Sequence, residues 1–259
     1  MIYINLTNEF NEGKLRAVIC SGQAAVLHKI AIMSKDGDWI IKEDEETTQH
    51  ILKTLAKYNA SYRFGAPLDL KWIKNGWSSH FEFFHNNIRV RTDFFTRPPR
   101  ITEEMLAKLW QEAEIMSPPF TNKIILAEMK KTNREKDYAV IGEIARRIDN
   151  IEDQLLYSRS ARDILRFFGT NSELVQKLSN KRRILSFLPC DLEKLEAELD
   201  AERRHLIHEN EERLAKFATA SKNWADKWPK VLKSIEGMPL VESHKIVCKE
   251  AENVLPFIP

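Results

Sequence analysis

The chain has 259 residues, with 40 Lys and Arg against 38 Asp and Glu, 43% hydrophobic residues and 30% charged ones. That is the balance of a soluble globular protein, long enough for one large or two modest domains. A net charge of +2 does not by itself mark a nucleic-acid binder. Cys20, Cys190 and Cys248 are odd in number and widely spaced, which argues against a disulfide framework or a zinc site and fits a reducing compartment. No apolar run approaches the ~18–20 residues of a membrane span. Residues 1–5 lack the basic region and apolar stretch of a signal peptide. A soluble, cytoplasmic protein with no membrane partner is expected.

In chain order, residues 16–20 read as a short buried strand. Gly22 then opens a turn, and residues 23–30 have helix composition. Asp36-Gly37-Asp38 leads into the β-type run Trp39-Ile40-Ile41. Residues 43–58 carry Ile51, Leu52, Leu55 and Ala56 at helical spacing, with acids in the first turn where the helix dipole favours them. A short strand is expected at 61–64. Residues 80–84 and 88–95 then read as a β-hairpin joined by His85-Asn86-Asn87. Pro98 and Pro99 cannot donate to a sheet ladder and end it.

Beyond that point the patterns are helical. Thr102 is a plausible N-cap, and helices are expected at about 121–131, 134–149, 151–168, 172–186, 191–218 and 221–236. The long run from 191 to 217 has leucines near heptad spacing and reads as an amphipathic bundle helix with a solvated, charged face. The expected class is α+β: a small mixed-sheet α/β domain over residues 1–100, followed by an all-helical domain over 101–259.

Chemistry concentrates in the first part. Asp36 and Asp38 share one face of an extended strand about 6–7 Å apart. They repel each other unless a cation sits between them, and Mg²⁺ takes oxygen ligands of this kind. In the second arm of the hairpin, Arg89, Arg91 and Asp93 alternate onto one face. Such a face is expensive to bury unless it lines a polar cleft.

Ser21-Gly22 after a buried strand, a spacer, Asp36-Gly37-Asp38-Trp39 and a later strand acid, Asp93, together resemble the signature of the nucleotidyltransferase superfamily with the DNA polymerase beta-like fold. The form Ser-Gly-x-Ala looks most like the abortive-infection-type, minimal and aminoglycoside nucleotidyltransferases. The resemblance covers roughly residues 16–100 and extends to Lys136-Asp137 at the start of a later helix. Gln23 and Gly37 depart from the pattern.

The resemblance implies a metal-dependent transfer of a nucleoside monophosphate, AMP first among them, from a nucleoside triphosphate to a hydroxyl. Asp36, Asp38 and Asp93 would be catalytic and would hold two Mg²⁺ ions. Ser21, Gly22, Lys35, Arg89 and Arg91 would bind the nucleotide, with the backbone N–H groups of the turn on its phosphates. The acceptor could be a small molecule, a protein side chain or an RNA end, and no sequence-specific DNA binding is expected. Asp69 is a second candidate for the third acid. Two other readings stay open: a catalytically degenerate relative that binds nucleotide or a protein partner, as in a toxin–antitoxin pair, and an unrelated scaffold in which the acid pair is incidental.

Overall fold

A computed structural model describes residues 1–259. In chain order its elements are α1 (Ile2–Phe10), β1 (Ala17–Cys20), α2 (Ser21–Leu27), β2 (Asp36–Ile41), α3 (Glu45–Ala56), β3 (Ser61–Tyr62), α4 (Leu70–Ile73), β4 (Ser79–His85), β5 (Ile88–Phe95) and α5 (Glu103–Ala113). There follow α6 (Lys123–Met129), α7 (Glu135–Arg146), α8 (Ile151–Tyr157), α9 (Ala161–Thr170), α10 (Ser172–Leu178), a 3₁₀ turn at Arg183–Phe187, α11 (Leu192–Ala220), α12 (Lys222–Ser234) and α13 (Leu240–Glu252). The class is α+β, as expected.

The chain forms two compact units, one of Met1–Thr121 with Ala215–Pro259 and one of Asn122–Leu214. The expected division at residue 100 is a different partition. It gives the last helices to the helical part, whereas α12 and α13 belong to the unit that holds the sheet.

The sheet in the first unit has the order β1-β2-β5-β4-β3. Its strands pair antiparallel except β2 and β5, which run parallel. The hairpin turns on Asn86 and Asn87 alone, both at positive φ (51° and 61°). That is the two-residue turn whose twist matches the flanking strands, and Asn tolerates it. One face of the sheet buries Trp39, Phe81 and Phe94. Trp39 stacks on Phe94 at 5.4 Å and meets Phe10 of α1 edge-on at 5.3 Å. Each such side chain contributes roughly 1.5–3 kcal/mol by leaving water. The indole N–H of Trp39 is not lost in this core, because it donates to Thr7 Oγ1 at 2.9 Å.

The returning C-terminal helices are tied in by specific bonds. Trp224 Nε1 donates to the Gly65 carbonyl at 2.9 Å, and Trp72 Nε1 donates to the Leu255 carbonyl at 3.1 Å. Tyr62 Oη lies 2.7 Å from His244 Nδ1.

The second unit is helical around Leu155, Ile164, Leu178, Leu195 and Leu199. The single helix expected at 151–168 is two. Ser160 leaves the helix to cap α9, accepting from the Asp163 amide at 3.2 Å, since a serine bonds local backbone more readily than it continues a helix. Of the 29 residues of α11 only Leu195, Leu199 and Asn210 are buried, so the charged face is solvated as its pattern implied. Thr102 Oγ1 accepts from the Met105 amide and caps α5. No helix is long and apolar enough to cross a membrane.

Candidate functional site

The parallel pairing of β2 with β5 builds a charged face. Cys20, Asp38, Asp93 and His80 are successive Cα partners across β1, β2, β5 and β4. Asp36, Arg91, Glu82 and Ser61 form the next row. Partners in register share a face, so Asp38 and Asp93 stand about 4.8 Å apart at their backbones, with Asp36 about 6.6 Å further along β2. The expected acids are therefore neighbours on one surface. They face a common space without closing on a point: no three His, Cys, Asp or Glu side chains converge as an ion-holding group in this conformation.

The third acid is organised by residues that the sequence reading did not select. Asp93 Oδ1 accepts from His80 Nδ1 at 2.8 Å and lies 3.4 Å from Arg63 Nη1. A carboxylate can only accept here, which places the histidine proton on Nδ1. With the ring neutral, Nε2 then accepts from Ser78 Oγ at 3.0 Å. A Cβ on Gly65 would collide with the His80 ring, so the glycine lets that backbone lie against it.

Asp36 differs. Its Oδ1 is buried and has no hydrogen-bond partner. Arg91 Nη1, at 3.6 Å, offers charge without a hydrogen bond. Arg89 is engaged elsewhere, donating from Nε and Nη2 to Glu82 Oε2. Lys35 is exposed just ahead of β2. Asp69, the other candidate third acid, caps α4 by accepting from the Lys71 amide at 2.8 Å.

The turn upstream is bound to the same strand. Ser21 opens α2 at φ +52°, a left-handed conformation that a serine adopts at some cost. A Cβ on Gly22 would strike the Ser34 side chain. Gln23 is buried, and its amide donates to the carbonyls of Ser34 and Asp36 at 3.1 and 3.3 Å. The glutamine that departs from the family pattern thus ties the turn to the acid strand. Gly37 also has a local reason. A Cβ there would come within 2.5 Å of the Trp39 and Tyr3 rings, which pack across the backbone between the two acids.

The acids register on their neighbours. Burial and then the Asp38 charge push the Cys20 thiol well above its ordinary value, so it stays protonated. The Tyr3 phenol is also raised, by burial first, with the charges of Asp36, Asp38 and Asp93 adding to it. Its hydroxyl donates to the Lys35 carbonyl at 2.7 Å, bracing the start of β2.

Asp137, at the start of α7, is buried among Thr132 Oγ1 at 2.6 Å, Arg134 Nε at 2.9 Å and Lys130 Nζ at 3.5 Å. Burial alone would raise its carboxyl. The Thr132 hydrogen bond and the Lys130 and Arg134 charges overcome that and hold it below its ordinary value.

Two solved structures superpose on most of the chain. A candidate nucleotidyltransferase from H. pylori aligns over 82% of this chain and 96% of its own, with a TM-score of 0.40 and 11% identity. JHP933 from Helicobacter pylori aligns over 83% and 94%, with a TM-score of 0.39 and 10% identity. No protein-family model and no curated protein sequence matches the chain. Likeness at this level assigns neither substrate nor catalytic residues, so a functional reading has to rest on the acids themselves.

The donor set suits a hard divalent cation. Three carboxylates on adjacent strands concentrate negative charge, and Asp36 Oδ1 is a buried oxygen that no donor of the chain satisfies.

Proposed function

We propose that the protein is a metal-dependent nucleotidyltransferase that moves a nucleoside monophosphate, AMP by preference, from a nucleoside triphosphate to a hydroxyl acceptor. The observation that supports this most is the β2–β5 register, which sets Asp38 beside Asp93 with the unsatisfied Asp36 oxygen on the same face. Asp36, Asp38 and Asp93 would hold two Mg²⁺ ions. Ions bound there would stabilise the attacking and leaving oxygens of an in-line displacement.

The chain's own residues have distinct tasks in this reading. His80 fixes Asp93 through Oδ1, so Oδ2 is the atom that takes the acceptor's proton. Ser21 and Gly22 present backbone N–H groups to the phosphates. Arg91 and Lys35 supply charge to the triphosphate, and Arg89 joins them only by leaving Glu82. The acceptor is a small molecule, a protein side chain or an RNA end.

Incubation with α-labelled ATP and Mg²⁺ tests the reading. Label should pass to an acceptor, or pyrophosphate should be released, and Asp38→Asn should reduce the rate at least about 100-fold, the scale on which one electrostatic contact to a transition state acts. Transfer that survives Asp38→Asn would sink the mechanism.

One observation favours a second reading. Arg91 and Arg63 lie 3.6 and 3.4 Å from Asp36 and Asp93, as they would in a degenerate relative that binds nucleotide or a protein partner without catalysis. Mn²⁺ titration followed by electron paramagnetic resonance separates the two. The enzyme binds the ion and Asp38→Asn does not, whereas the degenerate protein shows no difference between them.

A further inference from the structure

The helical unit contains a charged cavity lined by none of the residues given a role in the proposed reaction. It measures about 460 Å³, and Lys131, Arg159, Lys181, Arg182 and Arg183 line it against only two carboxylates, Glu128 and Glu202. Tyr157 forms part of the wall, with Lys131 Nζ 5.0 Å from its ring centre.

The deeper charges do not balance. The Arg182 side chain is 6% exposed and that of Arg159 13%, and both guanidiniums bond to the same carboxylate, Glu202. Arg182 meets it through Nε at 3.0 Å and Nη2 at 2.8 Å, and Nη1 and Nη2 also donate to the carbonyls of Leu155 and Ser158, which accounts for four of its five N–H groups. Arg159 Nη1 donates to Glu202 Oε2, the oxygen that Arg182 Nη2 also bonds, while its Nη2 donates to the Leu199 carbonyl at 2.8 Å. Lys131 pairs with Glu128 at 2.6 Å and also acts on Glu202 by its charge, and Lys181 pairs with Glu152 at 3.2 Å.

Two buried cations therefore share one anion. Burial and the Arg182 charge press the Arg159 guanidinium below its usual value, against the pull of Glu202. An uncompensated charge in a partly dry cavity is costly, and a ligand of opposite sign removes the cost. Arginines fixed by carbonyls are also pre-set for the oxygens of a phosphate.

We propose that this cavity binds a phosphate-bearing anion, held between Arg159, Arg182 and Lys131 with Arg183 and Lys181 at its mouth. Residues of the helical unit alone line it, and the proposal stands whether or not the sheet carboxylates catalyse nucleotidyl transfer.

Calorimetric titration of the full chain with inorganic pyrophosphate, at low ionic strength and in EDTA, tests it. EDTA removes the divalent ion that would hold the probe at the sheet acids, and the variants assign the signal to the basic cavity. One saturable site is expected. Arg159→Gln should weaken binding at least about tenfold, as loss of a charged hydrogen-bond donor does. Arg183→Gln should weaken it less, and Glu202→Gln should tighten it. Lys108→Gln, an exposed charge far along the sequence, should change nothing. If Arg159→Gln or Glu202→Gln fails to fold, Arg183→Gln and Lys181→Gln on the rim decide. Absence of binding, equal affinity in all variants, or equal weakening by Lys108→Gln would overturn the site. Titration with AMP distinguishes the sources: tighter binding than inorganic phosphate assigns a nucleotide, equal binding assigns the free anion, and both outcomes support the cavity.

Discussion

The carboxylates of the helical unit and those of the sheet have opposite surroundings. Glu202 is gripped by two guanidiniums, and Asp137 accepts from a hydroxyl and a guanidinium with an ammonium close by. Both are held below their ordinary values although burial alone would raise them, Glu202 by the charge and hydrogen bonds of Arg182 and the charge of Arg159. On the sheet, Asp36, Asp38 and Asp93 are set side by side by strand register, and Asp36 keeps a buried oxygen without a donor. The same residue type thus does two jobs. An acid whose oxygens are answered fastens helices together. An acid that keeps a buried oxygen without a donor, beside two other carboxylates, costs stability and is ready for a cation.

Glu202→Gln should break the fastening most severely. It leaves Arg159 and Arg182 facing each other with no anion between them, and removing one member of a buried ion cluster costs about 3–5 kcal/mol. Urea melts at neutral pH would read this, and a loss under ~1 kcal/mol would show that the arginines are hydrated rather than buried. Pyrophosphate should restore part of the lost stability, because a ligand that binds only the folded chain stabilises it.

Asp137→Asn comes next, at about 1–3 kcal/mol, the cost of leaving Lys130 and Arg134 without their counter-charge and replacing one acceptor oxygen by a donor. This effect has a pH signature. The folded carboxyl is depressed, so its contribution is complete above the ordinary carboxylate range near 4 and is lost as pH falls through the lower folded value. Wild type and Asp137→Asn should therefore converge in stability as pH falls from about 5 through the depressed folded value, and a gap that stays constant on acidification would contradict the assignment. Gly37→Ala should cost a comparable ~1–3 kcal/mol by forcing a methyl against Trp39 and Tyr3 while leaving every sheet acid in place. It separates the packing around the site from its charge.

Alternation and turn chemistry made much of the sheet legible, because both act over a few residues. The acids' shared face followed from period two, and the hairpin from its asparagines. The partner of Asp93 was missed by one residue of loop. Counting His85, Asn86 and Asn87 as the connection shifts the register so that Ser79 opposes Asp93. The two-residue turn pairs His85 with Ile88, and His80 with Asp93. A one-residue slip moves every side chain to the other face, so the histidine beside the third acid was hidden behind a turn length.

The attachment of α12 and α13 to the sheet could not be read at all. The Trp224–Gly65 and Trp72–Leu255 bonds span 159 and 183 residues, and periodicity carries no information on which distant apolar faces meet. Helix 151–168 failed for a local reason, since Ser160 offered a cap inside a stretch whose hydrophobic pattern continued through it.

Asp36→Asn carries the smallest expected change in stability and the sharpest meaning. Asp36 loses a distant pairing with Arg91, and both side chains are more than a third exposed, so the pair contributes at most about 1 kcal/mol. Against that loss stands relief of repulsion from Asp38 on the same face. The two effects oppose, and the net change in a urea melt should stay within about 0.5 kcal/mol, the range of substitutions that break no structural contact. With millimolar Mn²⁺ the melts should diverge: wild type should gain stability by binding the ion and Asp36→Asn should gain less. A large loss of stability in metal-free buffer would make Asp36 a fastening acid like Glu202, and the distinction between the two kinds of carboxylate would fall. Equal gains from Mn²⁺ would leave the unsatisfied oxygen without a role in holding a cation.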